Sequence, residues 1–79
     1  MTANHTYSVI LEPAEEGGFV VRVPALPEIC TEGETEDEAL AMAKDAIELV
    51  IESRLERGEP IPAEFQKPLM REVTISRAA

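Results

Sequence analysis

Leu26-Pro27-Glu28-Ile29-Cys30-Thr31-Glu32-Gly33-Glu34-Thr35-Glu36-Asp37-Glu38-Ala39 decides the fold, because a strand and a turn there run directly into a helix start. Thr35 can cap the helix and Glu38, three residues on, can reach back to it, which is the pattern of a capping box. Glu36 and Asp37 place two acids at the positive end of the helix dipole. Everything upstream reads as strand. Tyr7, Val9 and Leu11 alternate with polar neighbours and stop at Pro13, which lacks a ladder donor. Ala14-Glu15-Glu16-Gly17-Gly18 supplies a tight reversal, and Phe19, Val21 and Val23 then alternate with Val20 and Arg22, so the two runs form a hairpin. Ile29 to Gly33 is a shorter third strand, and Glu72 to Ser76, with Val73 and Ile75 on one side, is a fourth.

Downstream, nothing breaks a helix from Glu36 to Arg57, about 33 Å at 1.5 Å per residue. Gly58 and Pro60 supply its stop. At 100° per residue, Leu40, Ala43, Ile47, Val50 and Ile51 form a stripe facing the sheet, with Ala39 and Ala46 small enough for close approach. Met42 and Leu49 widen the apolar arc to roughly 200°, twice what one sheet requires. That excess has two readings: contact with another subunit, or cover by Ile61, Phe65 or Leu69 folding back. Glu48, Glu52 and Glu56, spaced four apart, make an acidic ridge on the opposite face, which is either solvated or a docking surface. The proline-rich stretch Gly58 to Pro68 is a stiff connector. The fold class is therefore α+β: an antiparallel sheet of three to four strands packed on one long helix, in the order β-β-β-α-β, with residues 1–79 forming a single domain.

A chain of 79 residues makes a small core, so a partner or self-association is expected to help stabilise it. Sixteen acids against seven bases, a net charge of -9, repel nucleic acid and favour a basic partner. No leader or long apolar run marks secretion or a membrane span, so the expected compartment is the cytoplasm. His5 is the single histidine and has no companions for a metal or catalytic site. Cys30, the single cysteine, reads as a packed thiol in its strand. Carboxylates are the abundant reactive type, but two-metal nuclease chemistry needs several to converge, and Glu12 is the one clear strand acid. No enzyme, metal or cofactor is expected.

The ordered set Tyr7-x-Val9-x-Leu11-Glu12, then Glu16-Gly17-Gly18-Phe19-Val20-Val21-x-Val23-Pro24-x-Leu26-Pro27, then Thr31-x-Gly33-Glu34-Thr35-x-x-Glu38-Ala39 resembles the antitoxin domain of HicB-type toxin–antitoxin pairs. The likeness runs from about Tyr7 to Pro62. It implies a partial ribonuclease H-like fold without the nuclease site, and a partner: a small basic RNA-cleaving HicA-type toxin that the domain covers and inhibits. Two positions depart from the family's usual pattern, Glu28 where glycine is usual after the second proline and Glu34 where aspartate precedes the capping threonine. About twenty residues follow Gly58, so the DNA-binding domain that many members carry is not expected, nor is direct nucleic-acid binding. On this reading Glu32, Glu34, Glu36, Asp37, Glu48, Glu52 and Glu56 contact the toxin, and Met42 and Leu49 lie at the interface of a homo-oligomer, a dimer or tetramer. The competing readings are a solitary oligomeric scaffold or ligand carrier without a toxin, and a magnesium-dependent nuclease on the same fold.

Overall fold

The computed structural model describes residues 5–64 and 67–78. Three strands, β1 (Ile10–Pro13), β2 (Phe19–Arg22) and β3 (Cys30–Gly33), precede one helix, α1 (Glu36–Glu56). The strands form an antiparallel sheet in the order β1-β2-β3, with Leu11 opposite Val21 and Val21 opposite Thr31. The hairpin closes through Ala14 and the two glycines, whose backbone bonds are Gly17 N–H to Ala14 O and Ala14 N–H to Gly18 O, both 3.0 Å. Pro13 closes β1 opposite Phe19 without breaking the ladder, because Ala14 N–H carries the bond to Gly18 O and the proline nitrogen lies on the side away from β2.

The helix lies on the sheet face that carries Phe19, Val21 and Val23. Val21, Ala39 and Ala43 form one buried cluster, with Val9, Leu11 and Phe19 packed against it. Val23, Leu26 and Ile29 form a second, backed by Tyr7, Ala46, Ile47 and Val50. The helix can come this close because Gly33 has no side chain. A Cβ there would stand 2.4 Å from Ala39 N and 2.6 Å from Ala39 Cα, distances that real atoms do not adopt. Thr35 is the N-cap, its hydroxyl accepting from Glu38 N–H at 3.1 Å; of the two bonds of a capping box, this one is formed. The far end closes with Gly58 at φ +69°, where Gly58 N–H reaches Leu55 O and Glu59 N–H reaches Arg54 O, the paired bonds of a Schellman motif.

Several expectations change. Glu72–Ser76 is not a strand here: it lies extended and exposed, and the sheet has three strands among the described residues. Cys30 is exposed rather than packed, because it sits on the sheet face that points away from the helix. Leu40 is 46% exposed, so the buried seam of the helix is narrower than the apolar stripe and is made by alanines. Leu69 does not cover the helix, being 83% exposed, and Phe65 lies outside the described residues. The connector instead turns back past the chain before β1, where Tyr7 Oη–H donates to Pro62 O at 2.6 Å and Ser8 donates twice to the Glu64 carboxylate. No helix of the described residues is long and apolar enough to cross a membrane.

Candidate functional site

The tight β3-to-helix junction crowds acids at one corner. Glu32 on β3, Glu34 beside the cap, and Glu36, Asp37 and Glu38 in the first helical turn are all exposed within seven residues. The helix's unpaired N–H groups face this corner, which offsets part of the mutual repulsion. A shallow groove runs from it, lined by Gly18, Phe19, Glu32, Glu34 and Met42. The structure therefore brings Glu32, Glu34, Glu36 and Asp37 together, as a capped helix abutting a short strand requires.

The helix ridge is a separate patch. Glu48, Glu52 and Glu56 are exposed along one side of α1, away from the corner's end of the helix. Met42 and Leu49 are 41% and 68% exposed on one flank of the buried seam. Leu40 and Ile51 lie on the other flank, where with Tyr7, Val9, Ile47 and Glu48 they line a second groove. The excess apolar arc is thus split into two flanks rather than gathered on one.

Apart from Glu32, the sequence assigns no role to the outer face of the sheet. Ile10, Arg22 and Cys30 lie in one row across it, and Glu12, Val20 and Glu32 in the next. Arg22 Nε pairs with Glu12 at 3.0 Å, so the one clear strand acid is engaged by a cation. The alternation of Val20 with Phe19 and Val21, and of Cys30 with Thr31, was the signal that this half-apolar face exists. Among the described residues no group of three or more His, Cys, Asp or Glu comes together in a way that could hold a metal ion.

Glu28 has a structural task. Its carboxylate takes a 2.7 Å bond from Arg54 near the end of α1, tying the loop after β2 to the helix. A backbone hydrogen bond at Glu28 itself, and then the Arg54 guanidinium, hold its carboxyl below the usual glutamate range. Among the described residues none but glycine has positive φ, so the turn accepts glutamate without strain.

Against this geometry, residues 7–73 match the family model described as the HicB-like antitoxin of bacterial toxin–antitoxin systems. The chain belongs to the HicB-like antitoxin family. It is 49% identical over 59 residues to Antitoxin HicB 1 of Photorhabdus laumondii, covering 75% of this chain and 38% of that protein. It is 45% identical over 56 residues to Antitoxin HicB of Escherichia coli K12, covering 71% of this chain and 41% of that one. A UPF0150 protein of Thermoplasma acidophilum is 48% identical over 56 residues, covering 71% of this chain and 81% of its own length. The chain thus spans about two fifths of the HicB antitoxins and about four fifths of the UPF0150 protein. The matched region takes in the corner, the ridge and both clusters of the core.

Proposed function

We propose that this HicB-like domain neutralises a small basic RNA-cleaving toxin of the HicA type by covering the toxin's RNA-binding surface. The observation that carries the reading is the exposed acidic corner, Glu32, Glu34, Glu36 and Asp37, held on a rigid junction of strand and helix. Such a cluster mimics the charge of a phosphate backbone, so it attracts the same cationic surface that RNA would use and competes for it. The ridge Glu48, Glu52 and Glu56 extends the negative field along the helix and steers the approach. The domain itself contacts no nucleic acid, performs no catalysis and works in the cytoplasm. Self-association through the Met42 and Leu49 flank gives a dimer or tetramer and supplies the burial that so small a core lacks.

The test is co-expression. A small basic reading frame beside that of the antitoxin is induced alone and together with this chain in the same cells. Growth arrest lifted by the chain, and restored when Glu32, Glu34, Glu36 and Asp37 are changed to lysine, is the expected result. Arrest that persists with the unchanged chain present overturns the proposal.

A further inference from the structure

β3 is an outer strand, and its free edge is open. Ala14 N–H bonds to Gly18 O, and two-residue alternation along the ladder then turns the backbone groups of Val20 and Arg22 toward β1 and those of Phe19 and Val21 toward β3. Gly33 and Thr31, opposite Phe19 and Val21, face back to β2, so Cys30 and Glu32 turn their N–H and C=O groups outward. Among the described residues neither has a backbone partner there. The helix flank above this edge is apolar. Met42 lines a groove with Glu32 and Gly33, whereas Leu40 and Ile51 line one with Val9 on the β1 side, so Met42 and Leu49 overhang the β3 side. Acids surround the edge: Glu28 precedes β3, Glu34 follows it, and Glu38 lines the groove with Met42.

The chain carries one segment of complementary character. Residues 65–79 hold three bases and one acid, against four bases and fifteen acids in residues 1–64. Leu69, Met70, Val73 and Ile75, from 78% to 93% exposed, are the most exposed large apolar side chains of the described residues. Arg71, Val73, Ile75 and Arg77 alternate with Glu72, Thr74 and Ser76, the pattern of a strand with one face buried. Its own β3 is out of reach. Lys67–Met70 lines a cleft with Ser8–Glu12, at the opposite edge of the sheet. Val73, three residues past Met70, is at most about 11 Å further on. The outer side of β3 lies three strand spacings from β1, about 14 Å.

We propose that Arg71–Arg77 adds as a strand to the open β3 edge of a second copy of this chain, where its Val73 and Ile75 cover that copy's Met42 and Leu49. Lys67–Met70 stays beside its own β1, and reciprocal exchange closes the assembly at two copies. Backbone bonds to Cys30 and Glu32 supply affinity, and alternate side chains supply register. With Thr74 opposite Glu32, Val73 and Ile75 fall beside Thr31 and Gly33 on the helix side in either strand direction. Arg71 and Arg77 then stand at the two ends, one near Glu28 and the other near Glu34 and Glu36. A parallel run also sets Glu72 beside Cys30 and keeps it from Glu34. Two β3 edges pairing with each other fit less well, because an antiparallel register centred on Thr31 sets Glu34 against Glu28 twice. The proposal rests on self-association through the Met42 and Leu49 flank and names what covers that flank. It is tested without toxin, which would meet the same edge at Glu32.

Crosslinking between two differently marked chains tests it. In a Cys30→Ser background, one chain carries Thr74→Cys and the other Glu32→Cys; they are mixed and oxidised. A covalent species of twice the 8.7 kDa chain is expected, well above what either chain gives alone. A mixture that gives no more of it than the separate chains overturns the proposal, as does a crosslink confined within single chains when both cysteines are placed in one. In parallel, Val73→Glu with Ile75→Glu should reduce the sedimentation mass to that of one chain and leave the helical circular-dichroism signal as it was, since both side chains are exposed in one copy. A parent that already sediments as one chain overturns the proposal together with self-association. A parent that self-associates, and keeps its mass in the Val73→Glu, Ile75→Glu variant, overturns the proposal alone.

Discussion

Gly33→Ala tests the contact on which the whole arrangement turns. The added Cβ would stand 2.4 Å from Ala39 N, 2.6 Å from Ala39 Cα and 2.9 Å from the Glu38 carbonyl carbon. All three are backbone atoms within the first turns of α1, so no side-chain rotation relieves them. Overpacking costs about 1–3 kcal/mol, and a backbone obstacle belongs at the upper end. The alanine returns about 0.4–1 kcal/mol by restricting the unfolded chain. The net loss is about 2 kcal/mol, a large share of the roughly 4–12 kcal/mol expected for a chain of this size. It corresponds to a fall in Tm of roughly 8–16 °C. Thermal unfolding followed by circular dichroism measures it. Adding Ala39→Gly should not restore the lost stability, because the clash is with backbone that glycine also has. A Gly33→Ala protein melting within about 2 °C of the parent would refute the reasoning about how helix and sheet meet.

Thr35→Ala removes the cap bond to Glu38 N–H and should cost about 1 kcal/mol, read by urea unfolding; no change would mean the hydroxyl is not the cap. The Glu28–Arg54 pair predicts a pH effect. The folded-state pKa of Glu28 is lowered, so its contribution is present above the unfolded value and is lost as pH falls through the folded value below that. Arg54→Met removes part of that lowering, so the stability gap between parent and variant should shrink as pH falls from 7 to 3. A constant gap across that range would show that the pair contributes no charge-dependent stability.

Much of the fold could be read from local chemistry. The cap at Thr35, the stop at Gly58 and the two-residue alternation around Val21 each depend on neighbours in sequence, and each stands where those residues place it. What could not be read depends on distance in space. Leu40 and Ala43 look alike on a helical wheel, but a sheet of three four-residue strands covers only a narrow seam, so Ala43 is buried and Leu40 is not. Cys30 reads as packed from its place in a short strand with no histidine nearby to activate it, but strand alternation fixes two faces without saying which one the helix takes. Glu28 looked like a misfit in a glycine position until Arg54, twenty-six residues away, supplied its partner. The fourth strand is the clearest case. The Val73 and Ile75 pattern is that of a strand, but alternation in sequence cannot say whether a sheet edge lies within its reach, and none pairs with it among the described residues.

The acidic corner was legible in composition and spacing, since Glu32 to Asp37 flank a capped helix start. Its crowding was not, because that follows from the close approach at Gly33. The ridge of Glu48, Glu52 and Glu56 was legible from the spacing of four, and the outer sheet face of Ile10, Val20 and Cys30 was passed over because its residues are split among three strands.

The proposed function rests on negative charge that guides a cationic toxin onto this domain. The most direct measurement is the association rate with the purified toxin as a function of salt, for the parent chain and for a chain with Glu48, Glu52 and Glu56 changed to lysine. Steering predicts a parent rate that falls steeply as salt rises and a variant rate at least about tenfold slower at low salt, the two converging at high salt. Equal rates at low salt would contradict it.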